Sequence, residues 1–407
     1  MSALALIALA VWAYLAVGHG GFWRTADRLR RGADPRAWPD VAAVVPARDE
    51  AAILPETLPT LLAQEYPGRF EVILVDDDST DGTSEVAGRL AAEAEADAGE
   101  AGRATFRAVR VTGREDGWAG KVRAMAEGVR AAGEVEFLLF TDADIAYRPG
   151  TVTRLVRAAT PAANATAPAA ATTGEDGLDL VSRMAMLSTR TRWERALVPA
   201  FVYFFAQLYP FRRVGEDGAR TAAAAGGCML VRRSALARAG GLAAIRGALI
   251  DDVALGRLVK RGGGRCRLDL GREVASVRPY PRLADLWAMV ARSAYHQLRY
   301  SPVLLAGTVL GLLLVYVVPP VAAVVGVTEL MLSGGARAAT AAAAGGTAWT
   351  IMAATYAPTL RLYRLSPLRA PLLPLVALLY TGMTVDSARR HRAGRGGAWK
   401  GRTVTGR

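Results

Sequence analysis

Apolar residues are spread along the 407-residue chain in three regimes. Residues 4–17 are almost wholly apolar, Phe22 and Trp23 extend the run, and Arg24, Arg28, Arg30 and Arg31 follow at once. A secretory signal peptide carries its charge before the apolar run and a small-residue cleavage site after it. The reversed order predicts a retained anchor, residues 1–23, whose C-terminal end faces the cytosol. A buried core helix is the alternative, which the basic flank disfavours. Residues 40–280 follow a different pattern. Runs 41–45 and 70–75 suit buried parallel strands, and between them Leu54, Leu58, Leu61 and Leu62 recur at helical spacing. A helix at 84–96, a strand at Thr105–Val111, a helix at 121–132 and a strand at 137–141 continue the alternation. This rhythm predicts an α/β domain with a doubly wound sheet that binds ligands at the carboxyl ends of its strands. Residues 161–174, rich in Ala, Thr and Pro, read as a surface loop, and Asn164-Ala165-Thr166 within it matches a glycosylation acceptor pattern by chance.

The third regime begins near Val303. Residues 303–327 could span a bilayer, with Pro319 and Pro320 kinking or splitting the run. Residues 338–357 are long enough but rich in Ala and Gly. Residues 371–385 fall short of the ~20 residues a straight spanning helix needs. The tail beyond Asp386 holds seven Arg or Lys and no acid, so it is expected on the cytosolic side. That requires an even number of C-terminal crossings: either Pro319-Pro320 divides the first run or 371–385 is re-entrant. Just before the run, Leu283, Leu286, Trp287, Val290 and Ala294 share one helical face, with Arg282, Asp285, Arg292, His296 and Arg299 around the rest. Such a helix suits the bilayer interface. The predicted segments are thus an anchor at 1–23, a catalytic domain at 40–280, an interfacial helix at 281–300, transmembrane segments at 301–388 and a basic cytosolic tail at 389–407. Residues 193–211 hold seven of the chain's 29 aromatics between arginines, and are likewise expected at the interface rather than in a core, which would bring a lipid acceptor to the site.

Composition narrows the function. With 52% hydrophobic and 21% charged residues, the chain is not a disordered polymer. Two cysteines, Cys228 and Cys266, and three scattered histidines exclude a disulfide framework and a His/Cys metal cluster. A formal charge of +13 with pI ≈ 10.2 could suggest nucleic acid. The basic residues crowd beside apolar segments, however, which fits anionic lipid and argues against a nucleic-acid partner.

The candidate chemistry lies in the minority acids. The first cluster, Asp76-Asp77-Asp78 through Asp81, follows a predicted strand. Adjacent carboxylates there repel unless a cation or donor compensates, and one could accept a uracil N–H or a ribose hydroxyl. Helix capping accounts for Asp78 or Asp81 more readily than for Asp76 and Asp77. The second, Asp142-Ala143-Asp144, can hold one hard divalent ion, which would also bind a diphosphate. In the third, Asp251-Asp252, one acid could take a proton from an acceptor hydroxyl, and a helix start capped by Asp251 is an equally good local reading. Arg48, Glu50 and Lys121 are further contact candidates, Lys121 because Gly120 and a helix start permit close approach to phosphate. The Gly120-Lys121 pair is no P-loop: Glu115 stands where Gly is needed, and Val122 where Ser or Thr is.

These residues resemble family 2 glycosyltransferases of the GT-A fold over roughly 40–300. Val44-Val45-Pro46-Ala47-Arg48-Asp49-Glu50 is similar to that family's opening strand and loop. The resemblance implies a nucleotide-sugar site at Pro46, Arg48, Glu50, Asp76, Asp77, Lys121 and Asp142. It further implies a divalent cation, Mg2+ or Mn2+, at Asp142 and Asp144, and Asp252 as catalytic base. Asp251 replaces the more usual Glu before that base. Membrane-bound members carry a (Q/R)-x-x-R-W motif, and the nearest match here is His296-Gln297-Leu298-Arg299-Tyr300, so Asp251, His296, Arg299 and Tyr300 are acceptor or interfacial candidates. The stretches 117–121, 226–233, 248–255, 292–307 and 398–402 resemble the hopanoid-associated subgroup. What this implies is a multi-pass enzyme of the bacterial inner membrane, catalytic domain in the cytosol, that moves a sugar from a UDP-linked donor to a lipid. The alternatives are transfer to a polyprenyl phosphate or polysaccharide, and a non-catalytic membrane scaffold on the same fold.

Overall fold

The computed structural model describes residues 1–26, 34–97, 104–113, 115–160 and 177–394, together with the backbone of two short strands, Ala398–Trp399 and Arg402–Thr403. The expected loop at 161–174 with its Asn164 pattern, the arginines Arg28, Arg30 and Arg31, and most of the basic tail lie outside the described residues. The chain divides into two units. One is α/β and comprises 26–188, 213–278 and 399–407; the other is helical and comprises 1–25, 189–212 and 279–398.

The α/β unit is built on an eight-stranded sheet. Its strands are β1 (Val41–Ala47), β2 (Phe70–Asp77), β3 (Thr105–Val111), β4 (Phe137–Phe140), β5 (Ile145–Tyr147), β6 (Leu180–Met186), β7 (Met229–Arg232) and β8 (Cys266–Ser276), in the order β3-β2-β1-β4-β7-β6-β8-β5. β1, β2 and β4 are buried on both faces, as their unbroken apolar runs require. β3 lies at the edge, with Arg107 and Arg110 among its outward residues, and a charged edge resists pairing with other chains. The expected doubly wound sheet is found in β3-β2-β1-β4, all parallel. Beyond β4 the sheet is mixed: β7 runs antiparallel to β4 and to β6, and β5 antiparallel to β8. β6 and β8 bury a charged pair, Arg183 Nε donating to Glu273 Oε1 at 2.6 Å. Both charges must find each other, since either alone would be costly to bury.

In the helical unit, Pro302–Leu332 is one continuous helix, not two. A π-helical turn, Leu313–Val317, precedes Pro319 and Pro320, which fall in the first turn of Val318–Leu332. The wider turn absorbs the N–H groups that the prolines lack, so the helix carries on. The short run at 371–385 belongs to the longer helix Pro367–Arg392. At 26 residues it measures about 39 Å. These two helices are long and apolar enough to cross a bilayer, whereas Ser2–Val17 is a shorter apolar helix. The aromatic segment departs from expectation. Helix Arg192–Leu208 packs inside the unit, with Tyr203 and Phe204 in ring contact with Phe22, Tyr316, Tyr356 and Tyr380. At its start Glu194 forms a capping box with Thr191 and also accepts the Tyr280 N–H at 2.7 Å.

Candidate active site

The exits of β1 and β2 are laced together. Asp49 N–H donates to Ser79 Oγ at 3.0 Å, Thr80 N–H to Asp49 Oδ1 at 2.9 Å, Glu50 N–H to Thr83 Oγ1 at 2.9 Å and Ala51 N–H to Asp81 Oδ2 at 3.0 Å. Asp49 and Asp78 take left-handed φ values of 50° and 56°, which aspartate tolerates better than most side chains. Pro46 pairs with Val75 of β2 but lies beyond the last β1–β4 partner, Val44, so its missing N–H costs the ladder nothing. Asp76 is buried, and both its oxygens are occupied, by Ser79 N–H at 2.9 Å and the Ser84 hydroxyl at 2.5 Å. The local-anchor reading therefore extends to Asp76 as well as Asp81. Arg48 donates to the Asp77 carbonyl at 2.5 Å, with the Asp77 carboxylate 3.7 Å away.

The second and third acidic clusters converge, although more than a hundred residues separate them. Lys121, in the first turn of helix Gly120–Ala131, lies 2.6 Å from Asp142 Oδ1 and 2.9 Å from Asp251 Oδ2. Its loop is held because Ala119 N–H donates to Arg246 O at 2.7 Å, near the third cluster. Asp251 opens helix Asp251–Arg261 without capping it, contrary to the local alternative. Asp252 Oδ2 accepts the Gly226 N–H at 3.0 Å and Oδ1 accepts the Val253 N–H at 2.7 Å. Gly226 faces all of these groups: a Cβ there would fall 3.4 Å from Lys121 Nζ, 3.5 Å from Asp142 Oδ2 and 3.6 Å from Asp252 Oδ2. Two carboxylates thus share one ammonium, with Asp252 beside them. Burial, reinforced by the Asp251 charge, pushes Asp252 up to about 7 despite Lys121 and the two N–H donors. Burial also raises Asp142, with Asp144 and Asp251 adding to it against the pull of Lys121. Burial alone would depress Lys121, but Asp142 and Asp251 hold its ammonium above the ordinary lysine value.

Asp144 belongs to an adjoining group that sequence reasoning missed. Its Oδ2 accepts the Ser276 hydroxyl at 2.8 Å and Arg278 Nε at 3.2 Å, while Arg278 Nη2 reaches both Glu50 oxygens at 2.8 Å. Nothing in the local sequence around Ser276 and Arg278 marks them, since their partners lie far away in the chain. Asp142 is the more open of the D-x-D pair, its side chain 34% exposed against 13% for Asp144. Hard carboxylate oxygens suit Mg2+ or Mn2+. Among the described residues no group of three or more His, Cys, Asp or Glu is arranged to hold an ion unaided. Asp142 and Asp144 would therefore leave the remaining positions to diphosphate and water, an arrangement typical of magnesium. His296, Arg299 and Tyr300 fall in the helical unit. There His296 Nδ1 is 2.8 Å from Tyr300 Oη, and the Tyr300 ring stacks on His391 with centroids 4.2 Å apart.

The profile of Glycosyl transferase family 2 matches residues 42–240. Among solved structures, the chain is similar to the mannosyltransferase PcManGT from Pyrobaculum calidifontis, determined with GDP-Man and Mn2+. The identity is 20% and the TM-score 0.53, over 95% of this chain and 98% of that one. It also aligns with glucosyl-3-phosphoglycerate synthase from Mycobacterium tuberculosis, with Mg2+ and uridine diphosphate, at 19% identity and a TM-score of 0.39 over 64% and 79% of the two chains. No curated protein matches the sequence. The profile match spans β1 to β7 and includes the D-x-D turn, and the archaeal enzyme shares the fold at nearly full length. Residues 42–240 are therefore a family 2 glycosyltransferase domain, the α/β unit that holds them has the GT-A fold, and the protein is an enzyme of that class.

Proposed function

We propose that the protein is a membrane-bound inverting glycosyltransferase that moves a sugar from a UDP-linked donor to a lipid hydroxyl in hopanoid metabolism. The observation that carries the reading is the placement of Asp252, whose Oδ2 accepts the Gly226 N–H at 3.0 Å on the wall that Gly226 shares with Lys121 and Asp142, where burial raises it to about 7. A base with its pKa near the working pH is matched to taking a hydroxyl proton as a bond forms. The acceptor oxygen attacks the anomeric carbon from the face opposite the leaving diphosphate, the bond to the diphosphate breaks, and the proton passes to Asp252. A bound divalent cation would neutralise the charge that develops on the departing diphosphate. Asp142 and Asp144 would hold it, Arg48, Glu50 and the β1–β2 loops with Asp77 would shape the nucleotide pocket, and Lys121 would meet the diphosphate.

The lipid acceptor rests on two helices with the length and apolarity to cross a bilayer, and on the resemblance of the segments around Trp118, Gly226, Asp252, Arg299 and Trp399 to hopanoid-associated enzymes. The same features support a multi-pass protein of the bacterial inner membrane with its catalytic unit in the cytosol. The test is to incubate the purified protein with membrane lipid extract and a panel of UDP- and GDP-sugars, then analyse the lipids by mass spectrometry. A hopanoid mass increased by one sugar, with UDP-sugar only, supports the proposal. Sugar on polyprenyl phosphate, or transfer from GDP-sugar alone, overturns its acceptor or donor half.

A further inference from the structure

Helix Asp251–Arg261 presents Asp252, Gly256 and Lys260 on one face, at spacings of four. All three meet the same stretch of chain. Asp252 Oδ2 takes the Gly226 N–H at 3.0 Å. One turn on, a Cβ added to Gly256 would lie 2.5 Å from the Ala223 carbonyl carbon and 2.9 Å from its Cα, so only glycine admits the backbone so closely. In the last turn Lys260 Nζ lies 3.0 Å from Thr221 O, 2.9 Å from Glu216 O, 2.7 Å from Val214 O and 3.3 Å from Arg213 O. An ammonium has three N–H donors, and among the described residues its acceptors are backbone carbonyls of a single segment. The segment therefore runs antiparallel along the helix, held at both ends and in the middle. On its other side Ala225 N–H donates to Ser182 Oγ of β6 at 2.9 Å.

We infer that this helix face is a rail that sets the position of the Asp252 carboxylate, with Gly256 and Lys260 as positioning residues; the inference rests on Asp252 being the base. Lys260 stands two helical turns, about 12 Å, from Asp252 and cannot share its contacts with substrate. It acts through the segment. If residues 213–221 slip, the Gly226 N–H moves away from Asp252 Oδ2. A shift of about 1 Å in a reacting group can cost about a hundredfold in rate.

The experiment uses the full-length protein in detergent and compares Lys260→Met, Lys260→Gln and Gly256→Ala with wild type. Hydrogen exchange is read on the peptide covering 221–228, binding of UDP or GDP with Mn2+ by calorimetry, and turnover with the lipid extract and donor panel. Exchange at 221–228 should quicken about tenfold in Lys260→Met and less in Lys260→Gln. Turnover should fall roughly ten- to a hundredfold, while nucleotide affinity stays within about twofold. Unchanged exchange overturns the rail, and so does quickened exchange with wild-type turnover. Should Lys260→Met fail to fold, Gly256→Ala and Lys260→Gln still decide by the same readings. Wild-type turnover in Asp252→Asn would instead remove the base assignment, and the exchange arm would still judge whether the rail holds the segment.

Discussion

The acids at the exit of β2 and those gathered around Lys121 look alike in sequence and differ in how their charge is met. Asp76 is saturated by a backbone N–H and a serine hydroxyl, and Asp81 by Thr83 and Ala51. Hydrogen bonds from neutral donors complete them, and they give the loop its shape. Asp142 and Asp251 share a single lysine and Asp252 lies beside them, so burial and mutual repulsion raise Asp142 and Asp252. A cluster left short of positive charge is suited to receiving more of it. The contrast separates acids that build a pocket from acids that can work in it, which a count of aspartates does not.

Asp252→Asn tests the working side most sharply. Transfer should fall about a thousandfold while nucleotide binding with Mn2+ persists, and wild-type turnover would sink the base assignment. Lys121→Met removes the shared ammonium and should cost about 3 kcal/mol of stability, because it leaves buried carboxylates uncompensated. Added Mn2+ should then raise its Tm more than that of wild type; an equal rise would show that Lys121 is not what the carboxylates compete for. A smaller contrast compares Asp142→Ala with Asp76→Ala. The first should abolish Mn2+-dependent nucleotide binding, and the second should lose about 1–2 kcal/mol of stability with its metal dependence intact. If calorimetry finds the same metal dependence lost in both, the distinction collapses. The mildest effect is that of pH. Asp252 must be ionised to accept a proton, so turnover should rise through about pH 7 and level above it. Its folded pKa lies above the unfolded one, so the native state holds the extra proton; this group's contribution to stability is largest at acid pH and falls as pH rises from about 4 towards 7. Asp252→Asn should flatten that slope in denaturant melts.

The parallel half of the sheet was legible because β1, β2 and β4 are buried on both faces and so read as apolar runs; the arginine-bearing edge strand Thr105–Val111 also matches to the residue, and the helix expected at 121–132 is found at Gly120–Ala131. The mixed half was not. β6 carries Ser182 and Arg183, and β8 carries Glu273, polar residues whose partners are distant in sequence. A local window sees an exposed charge where the fold makes a buried pair. The site divided in the same way. Asp142, Asp144 and Asp252 stood out as acids at strand ends and helix starts. Gly120 and a helix start mark Lys121 as a phosphate contact, whereas its bridge to two carboxylates exists only in the folded chain. Arg278 had no local signal at all.

Asp144 finds Ser276 and Arg278 132 and 134 residues further along the chain. On the ribosome, β1 to β4 can assemble long before β8 exists, and contacts of such separation are the slowest to form. The setting of Asp144 thus waits on the last strand of the domain and the residues just after it. A nascent chain would have its nucleotide platform well ahead of a finished D-x-D, and would gain competence for transfer only once synthesis had passed Arg278.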